Sequence, residues 1–151
     1  MKMTNRWNQV IYRLWAPVYD ATVGHFFLPG RIRAIELLDP QPGERLLLVG
    51  VGTGADLPLL PPGVQVIGVD ISPAMLDRAR RKLPLPGLEV AMVQGNAQGL
   101  LVEEASCDAA IFHLILSVIP DGAACLRENL RALKPGGRLV VFDKFVPDTG
   151  S

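Results

Sequence analysis

Beyond residue 40, short apolar runs rich in leucine and β-branched residues alternate with stretches in which apolar and charged positions are mixed. The apolar runs lack a strict alternation with polar positions, which is typical of strands that are buried on both faces. Strands that alternate with helices predict parallel β-α-β units and a doubly wound α/β sheet. The predicted strands are RLLLVG (45–50), VQVIGVD (64–70), LEVAMV (88–93), DAAIFHL (108–114) and GRLVVFD (137–143).

Two helices are predicted between these strands, with recognisable signals at their ends. Ser72 is placed to cap the first, with Pro73 at a first helical position, where its missing N–H does no harm. Lys134 stands in the last turn of the second, and Pro135-Gly136-Gly137 ends it. The predicted helices are SPAMLDRARRKL (72–83) and DGAACLRENLRALK (121–134).

The N-terminal segment has a different pattern. Trp7, Ile11, Leu14 and Val18 recur at helical spacing until Pro17 bends or ends the helix, which predicts an amphipathic helix. We therefore divide the chain into a helical segment, residues 1–30, and a domain of residues 31–151. At 151 residues the whole chain is the length of one domain.

Charge is balanced overall, with 15 Lys and Arg against 15 Asp and Glu, so composition gives no indication of nucleic-acid binding. Residues 1–35 nevertheless hold five basic residues and one acidic residue, a balance of +4. An amphipathic helix with this charge matches an element that lies in a membrane interface, and it equally matches a helix packed on its own sheet. Residues 1–20 are the expected membrane contact.

Other compositional features narrow the class. The N-terminus lacks the uninterrupted apolar core of a secretory signal, and no stretch approaches the roughly 18 apolar residues of a membrane span. We therefore expect a cytoplasmic protein, free or peripheral on the inner membrane face. Cys107 and Cys125 are too sparse for a disulfide framework or a zinc site, which predicts reduced core thiols and no metal centre.

Three glycines, Gly50, Gly52 and Gly54, follow the first strand, at the end of a parallel sheet where ligands bind. A dinucleotide site would carry glycine at position 55, which is alanine here, but alanine is tolerated there and the spacing discriminates weakly. Asp70 ends the second strand, 20 residues after Gly50. A carboxylate there accepts the ribose hydroxyls of an adenosine, in NAD or in S-adenosylmethionine.

Five segments together resemble the successive motifs of class I S-adenosylmethionine-dependent methyltransferases, in order and at the family's spacing. They are LLLVGVGTG, VIGVDISPAMLDRAR, VQGNAQGL, CDAAIFHLILSVIP and LRENLRALKPGGRLVVFDKF. Within that superfamily, LWAPVYDATVGHFFLPGR, HLILSVIPD and FDKF are most similar to bacterial phosphatidylethanolamine N-methyltransferases and their ubiquinone-methyltransferase-like relatives. The resemblance implies a Rossmann-like fold with S-adenosylmethionine as cofactor.

The resemblance also implies roles for individual residues. The three glycines line the turn against the methionine and ribose parts of the cofactor, and Asp70 holds the ribose. Ile71 and Met75 pack on the adenine. Asn96 and Ala97 occupy the position at which the family reads the adenine edge. Met75 equally suits ordinary helix packing, and Asn96 equally suits a turn.

One position departs from the family's pattern. Its members commonly carry Asp or Glu two residues before the first glycine, where the acid orients the cofactor's cationic amino end, but this chain has Leu48. We expect Asp56 to take over that contact. The other interpretation is that Asp56 only complements the dipole of a following helix.

Methyl transfer to an amine requires a base, because an amine with a pKa near 10 is protonated at pH 7. His113, after the fourth strand, and Tyr19, in a segment that relatives fold over the site, are the predicted catalytic residues. Tyr19 or Trp15 can also hold a methylated ammonium by cation–π contact, and Lys144 can meet a lipid phosphate. Each has a purely structural alternative, His113 as a core histidine and the aromatic residues as helix anchors.

Class I methyltransferases usually add a sixth and a seventh strand after the segment that corresponds to VVFD, whereas this chain stops at Ser151. Either the chain is truncated or a partner, such as a second copy, covers the sheet edge. The primary hypothesis is N-methylation of a phospholipid head-group amine or another small-molecule amine. The alternatives are a methyltransferase acting on a quinone or other small molecule, a non-catalytic cofactor-binding module, and an NAD-dependent oxidoreductase. The oxidoreductase is disfavoured because the sequence contains no recognisable proton relay.

Overall fold

The computed structural model describes residues 24–144, which form a five-stranded sheet with helices on both faces. A short 3-10 helix, Leu57–Leu59, follows the glycine turn. The helices are α1 (Gly24–Leu38), α2 (Pro73–Arg80) and α3 (Gly122–Leu130). The strands are β1 (Arg45–Val49), β2 (Gln65–Asp70), β3 (Glu89–Gln94), β4 (Cys107–His113) and β5 (Leu133–Phe142).

All five strands are parallel, in the order β3-β2-β1-β4-β5. The chain first builds outward from β1 to β3 and then returns to the other side of β1 with β4. The strand order therefore reverses between β1 and β4, and in open sheets ligands bind beyond the carboxyl ends of the strands at such a point. The predicted doubly wound fold is confirmed, and each predicted strand is present.

The prediction that the second helix extends to Lys134 is wrong. The helix ends at Leu130, and Lys134 and Pro135 already belong to β5. The reason is tertiary: Leu133 pairs with Cys107 of β4, and a shift of register then carries the chain past Pro135 before Arg138 pairs with Ala109. Pairing with β4 takes precedence over continuation of the helix.

The core has two apolar clusters, one on each face of the sheet. Leu46 and Leu48 of β1 point into the cluster that contains Ile35 of α1 and Leu76 of α2. Leu47 and Val49 point into the cluster that contains Cys125 of α3. Because successive side chains of a strand alternate between faces, β1 is buried on both of them, as its apolar sequence predicted.

Helix α1 packs against β5 and crosses the proposed domain boundary. Residue 30 lies inside α1, so one continuous helix joins the two predicted parts. A Cβ at Gly30 would lie 2.2 Å from the ring of Phe142, so α1 approaches β5 more closely than a larger residue would permit. The amphipathic helix predicted from Trp7 to Val18 lies outside the described residues.

The N-terminal cap of α2 and the buried cysteines agree with the prediction. Ser72 Oγ accepts a hydrogen bond from the N–H of Met75, and Asp121 caps α3 by accepting from the N–H of Ala124. Cys107 and Cys125 are free and buried, and burial raises the pKa of the Cys125 thiol to about 12. Within residues 24–144 no helix has the length and apolar character needed to cross a membrane.

Candidate functional site

The glycine turn at the carboxyl end of β1 forms the floor of a cleft. Gly52 has a φ of +57°, and a Cβ added to it would meet only the carbonyl oxygen of Gly50, at 3.9 Å. The space above Gly52 is therefore open to a ligand, while its backbone adopts a conformation that favours glycine. Gly54 differs, because a Cβ there would approach Leu57 and Ala79 at 3.0–3.1 Å, and this glycine serves the packing of α2.

Most of the predicted cofactor residues line this one cleft, whose volume is about 770 Å³ including the part open to solvent. The glycine turn, the end of β2, the start of α2 and the loop after β3 all contribute to it. The cleft-lining residues that the sequence predicted are Gly50, Gly52, Asp70, Ile71, Met75, Asn96, Ala97 and His113.

Asp70 links the two strands that frame the cleft. Its Oδ2 accepts a hydrogen bond from the N–H of Gly52, and its Oδ1 accepts one from the N–H of Ser72, both at 2.9 Å. Burial raises the pKa of Asp70, and hydrogen bonds from the backbone oppose that rise only in part. The backbone N–H of Ile71 also donates to this carboxylate, and a carboxylate has about four lone-pair positions, so Asp70 keeps acceptor capacity for a ribose hydroxyl.

The loop after β3 is held in place by a residue that the sequence analysis missed. Asn129 of α3 is buried, and its Nδ2 donates to the carbonyl oxygens of Ala97 and Cys125. Asn96 lies at the exposed edge of the same loop, where its Oδ1 accepts from the N–H of Gln98. Ala97 therefore has a fixed backbone, and the Asn96 side chain forms the turn that was one of its two predicted roles.

Beside the cleft, three elements bring together a buried chain of polar side chains. Arg31 of α1 donates from Nη1 to Asp56 Oδ2 at 2.9 Å, and His113 Nδ1 lies 2.8 Å from Asp56 Oδ1. Burial alone would raise the pKa of Asp56, but the hydrogen bond from His113 and the charge and hydrogen bond of Arg31 hold it below its ordinary value. Asp56 is thus a buried, ionised acceptor.

Both ends of this chain belong to the cleft. Arg31 and His113 are among its lining residues, whereas Asp56 is not. His113 Nε2 and Arg31 Nε are buried, and neither has a hydrogen-bond partner among the described residues. Two residues that line the cleft therefore each keep a buried nitrogen with unused hydrogen-bonding capacity, and such groups are costly unless a ligand or water engages them.

The structure gives Asp56 a contact that the sequence did not suggest. Arg31 and His113 each bind one of its carboxylate oxygens, and the predicted contact with the cofactor's ammonium remains a prediction. Leu48 is 1% exposed and packs in the apolar cluster that includes Leu57 and Ile111. At this position the chain extends its core instead of placing an acid under the turn.

The remaining candidates lie at the rim or outside the described residues. Tyr19 and Trp15 belong to the undescribed segment. Asp143 accepts hydrogen bonds from the N–H and the hydroxyl of Ser117, which ties the loop after β4 to the end of β5. Lys144 Nζ lies 5.4 Å from the ring centre of Phe27.

Sequence reasoning also missed several cleft-lining residues: Arg31, Val51, Thr53, Ala55, Leu114, Ile115 and Ile119. Those next to the glycine turn could have been found by their position after β1. Ile115 and Ile119 lie in the loop after β4, which the resemblance covers without indicating individual contacts. Arg31 has no sequence signal, because its role depends on where α1 lies against the sheet.

Comparison with known proteins extends these observations. Residues 47–141 match the model of a family described as a methyltransferase domain. The chain is 35% identical to a phosphatidylethanolamine N-methyltransferase of Cereibacter sphaeroides, over 92% of this chain and 68% of that protein. It is 37% identical to a demethylmenaquinone methyltransferase of Thermus thermophilus, over 80% of this chain and 56% of that protein.

Solved structures give the same fold. The cyclase SpnF matches with a TM-score of 0.79 and 24% identity, over 93% of this chain and 60% of that one. The complex of DhpI with SAH matches with a TM-score of 0.70 and 26% identity, over 88% of this chain and 66% of that one. The chain thus spans roughly half to two thirds of the proteins that it matches.

Proposed function

Because the chain belongs to the S-adenosylmethionine-dependent methyltransferase family, we propose that it methylates an amine, with the amino group of phosphatidylethanolamine as the acceptor. The observation that carries this proposal is His113, a residue that lines the cleft and whose Nε2 has no hydrogen-bond partner among the described residues. In the tautomer with its proton on Nδ1, this imidazole suits a base for an ammonium acceptor. The 35% identity to a phosphatidylethanolamine N-methyltransferase supports the same acceptor.

The cleft fits the cofactor. The open space above Gly52 admits a ligand to the backbone, and Asp70 has acceptor capacity for a ribose hydroxyl. Ile71 and Met75 offer apolar surface for the adenine, next to the loop that carries Asn96. When bound, S-adenosylmethionine supplies an activated methyl group on a sulfonium, together with its own leaving group.

The protein's main tasks are then to orient the amine and to remove its proton. In water, moving a proton from an ammonium with a pKa of about 10.4 to an imidazole with a pKa of about 6.5 costs about 5 kcal/mol. Transfer of the ammonium into a cleft with apolar walls disfavours its charged form and lowers that cost. Ile115 and Ile119 provide such walls beside His113.

A lipid acceptor also requires contact with the membrane surface. We assign this contact to residues 1–20, whose aromatic and basic residues suit an anionic interface. Lys144 is exposed after β5, and we propose that it binds the head-group phosphate. Tyr19 is proposed to close over the amine and to hold its methylated product by cation–π contact.

A second acceptor class is favoured by a specific observation, since several relatives are named demethylmenaquinone methyltransferases. For that class the nucleophile is a ring carbon of the reduced quinone, which attacks the methyl group and then loses its proton, so the same cleft would serve a carbon nucleophile in place of an amine. A third possibility, a module that binds the cofactor without turnover, is supported by Leu48, which stands where the family commonly carries an acid.

The deciding experiment measures transfer of a labelled methyl group from S-adenosylmethionine. Vesicles of phosphatidylethanolamine, vesicles of phosphatidylcholine and vesicles carrying a demethylated quinone are tested in parallel. We expect label in the phosphatidylethanolamine vesicles and none in phosphatidylcholine, whose nitrogen is already fully methylated. Label in the quinone alone would replace the proposed acceptor, and binding of S-adenosylhomocysteine without transfer to any acceptor would favour the module.

A further inference from the structure

The buried chain of Arg31, Asp56 and His113 has a chemical consequence beyond its packing. Their side chains are 7%, 7% and 2% exposed, and they come from α1, the glycine turn and the end of β4. We propose that Arg31 and Asp56 are positioning residues that hold neutral His113 in the tautomer with its proton on Nδ1, which leaves the lone pair on Nε2. The catalytic use of that lone pair rests on the proposed function.

The direction of each hydrogen bond follows from which groups can donate. A guanidinium has no acceptor, so Arg31 must donate to Asp56. An ionised carboxylate has no proton to give, so His113 Nδ1, 2.8 Å away, must be the donor in the second bond. A neutral imidazole carries one proton, and with that proton on Nδ1 its Nε2 is an acceptor.

This direction depends on Asp56 remaining ionised. A protonated Asp56 would donate to His113 Nδ1 and force the ring proton onto Nε2, which would remove the base. The positive charge of Arg31, 2.9 Å from Asp56 Oδ2, favours the ionised form in a setting where burial alone would favour the neutral acid. Arg31 therefore acts on His113 through Asp56.

The ring of His113 is also held in orientation. Phe142 of β5 packs against it edge to face, with ring centres 5.7 Å apart and an interplanar angle of 88°. A half-turn of the imidazole would present carbon in place of Nδ1 to Asp56 and would forfeit the hydrogen bond. No described group competes for Nε2.

Nitrogen NMR of the imidazole rings tests this inference without methyl transfer. The chain has two histidines, His25 and His113, so a spectrum of protein labelled with ¹⁵N-histidine contains two rings, and a His25→Gln variant assigns them. In the wild-type protein, when the His113 ring carries a single proton, we expect that proton on Nδ1 and none on Nε2. A proton on Nε2 in the wild type would overturn the proposal.

The Asp56→Asn variant is expected to reverse the tautomer. Arg31 can only donate, so it binds the amide oxygen of the new side chain, and the NH₂ group then donates to His113 Nδ1. With the proton displaced to Nε2, kcat should fall roughly 10²–10⁴-fold, the range for loss of a general base, with little change in affinity for S-adenosylhomocysteine. Asp56→Glu should restore the Nδ1 proton and part of kcat.

Asp108→Asn is the matched control. Asp108 lies at the opposite end of β4, where it accepts from the backbone N–H of Arg45, so its loss can affect stability without reaching the cleft. The inference fails if Asp56→Asn leaves the proton on Nδ1, or reverses the tautomer with kcat unchanged. If Asp56→Asn does not fold, the tautomer of His113 is measured in the wild type and in an Arg31→Lys variant. We expect the proton on Nδ1 in both proteins, and a proton on Nε2 in either would overturn the proposal. A correct tautomer in a protein that methylates no acceptor would contradict the proposed function alone.

Discussion

At the scale of single residues, two buried aspartates, one in the turn after β1 and one at the end of β2, have opposite electrostatic environments. Asp70 receives only neutral backbone N–H groups, and burial raises its pKa. Asp56 is hydrogen-bonded to His113 and Arg31, and these bonds together with the charge of Arg31 lower its pKa despite similar burial. The first suits hydrogen bonding to neutral hydroxyls, and the second suits the support of a proton acceptor.

Replacement of Asp70 tests the ribose contact. We expect Asp70→Ala to weaken binding of S-adenosylhomocysteine by about 1.5–3 kcal/mol, the scale of hydrogen bonds to a charged group. Titration calorimetry measures the loss, with Asp77→Ala as control, since Asp77 is an exposed carboxylate on α2. A folded Asp70→Ala protein with wild-type affinity would contradict the assignment.

Replacement of His113 separates catalysis from packing. If His113 is the base, the His113→Ala variant should methylate roughly 10²–10⁴-fold more slowly than the wild type, with affinity for S-adenosylhomocysteine nearly intact. The variant also leaves an oxygen of Asp56 unpaired, so a loss of about 1–3 kcal/mol in stability is expected in either case. Turnover, affinity and melting temperature are measured together, beside His25→Ala. Normal turnover in a less stable protein would reject the catalytic role.

At the scale of elements, α1 is where sequence reasoning fell short. Pro29 and Gly30 are poor helix formers, and they interrupt the helical pattern of residues 24–38. Packing against β5 overrides this local preference, and Gly30 is required there by the ring of Phe142. Because α1 was not predicted, the position of Arg31 beside Asp56 was not predicted either.

The strands and the residues at their ends were predictable because their signals are local. Long apolar runs indicated buried strands, and the topology then brought Gly52, Asp70 and His113 to one edge of the sheet. Asn129 could not be assigned from sequence, because its bond to Ala97 joins residues from different elements. The local signals thus predicted the strand ends, while contacts between elements required the structure.

Arg138 of β5 joins three elements at the opposite end of the sheet. It donates to the carbonyl oxygens of Leu38 and Asp39 after α1 and pairs with Glu44 before β1. The hydrogen bond from Arg138 lowers the pKa of Glu44 from 4.5 to about 2. Because the unfolded chain binds this proton more readily, the pair's contribution is complete above about pH 4.5 and is lost as the pH falls toward 2.

Urea unfolding of wild type and Glu44→Gln between pH 7 and pH 2.5 measures this contribution. We expect a constant difference in the free energy of unfolding near neutrality that shrinks as the pH approaches the lower limit. Glu36→Gln is the control, because Glu36 is an exposed residue of α1 that, within residues 24–144, pairs with the exposed Arg33. A difference independent of pH over the whole range would count against the pair.

At the scale of the whole molecule, the uneven charge distribution is the basis of the membrane proposal. We expect co-sedimentation with anionic vesicles that weakens at high salt, since the screening length falls from about 8 Å at physiological ionic strength to about 3 Å at 1 M. Arg6→Gln with Arg13→Gln should reduce binding, whereas Arg80→Gln with Arg127→Gln, both exposed, should not. Equal recovery with neutral vesicles would argue against an electrostatic contact.

The reversal of strand order at β1 also affects how the chain is made. Leu46 pairs with Val66 of β2 on one edge and with Ala109 of β4 on the other. One edge of β1 therefore stays unpaired until β4 has been synthesised. At about 5–20 residues per second, this apolar edge stays unpaired for several seconds on the ribosome. We expect a released chain that ends near residue 104 to aggregate or to be cleaved readily, unlike a released chain that extends to residue 144, as limited proteolysis of the two would show. The protein is thus most vulnerable to misassembly between the synthesis of β2 and that of β4.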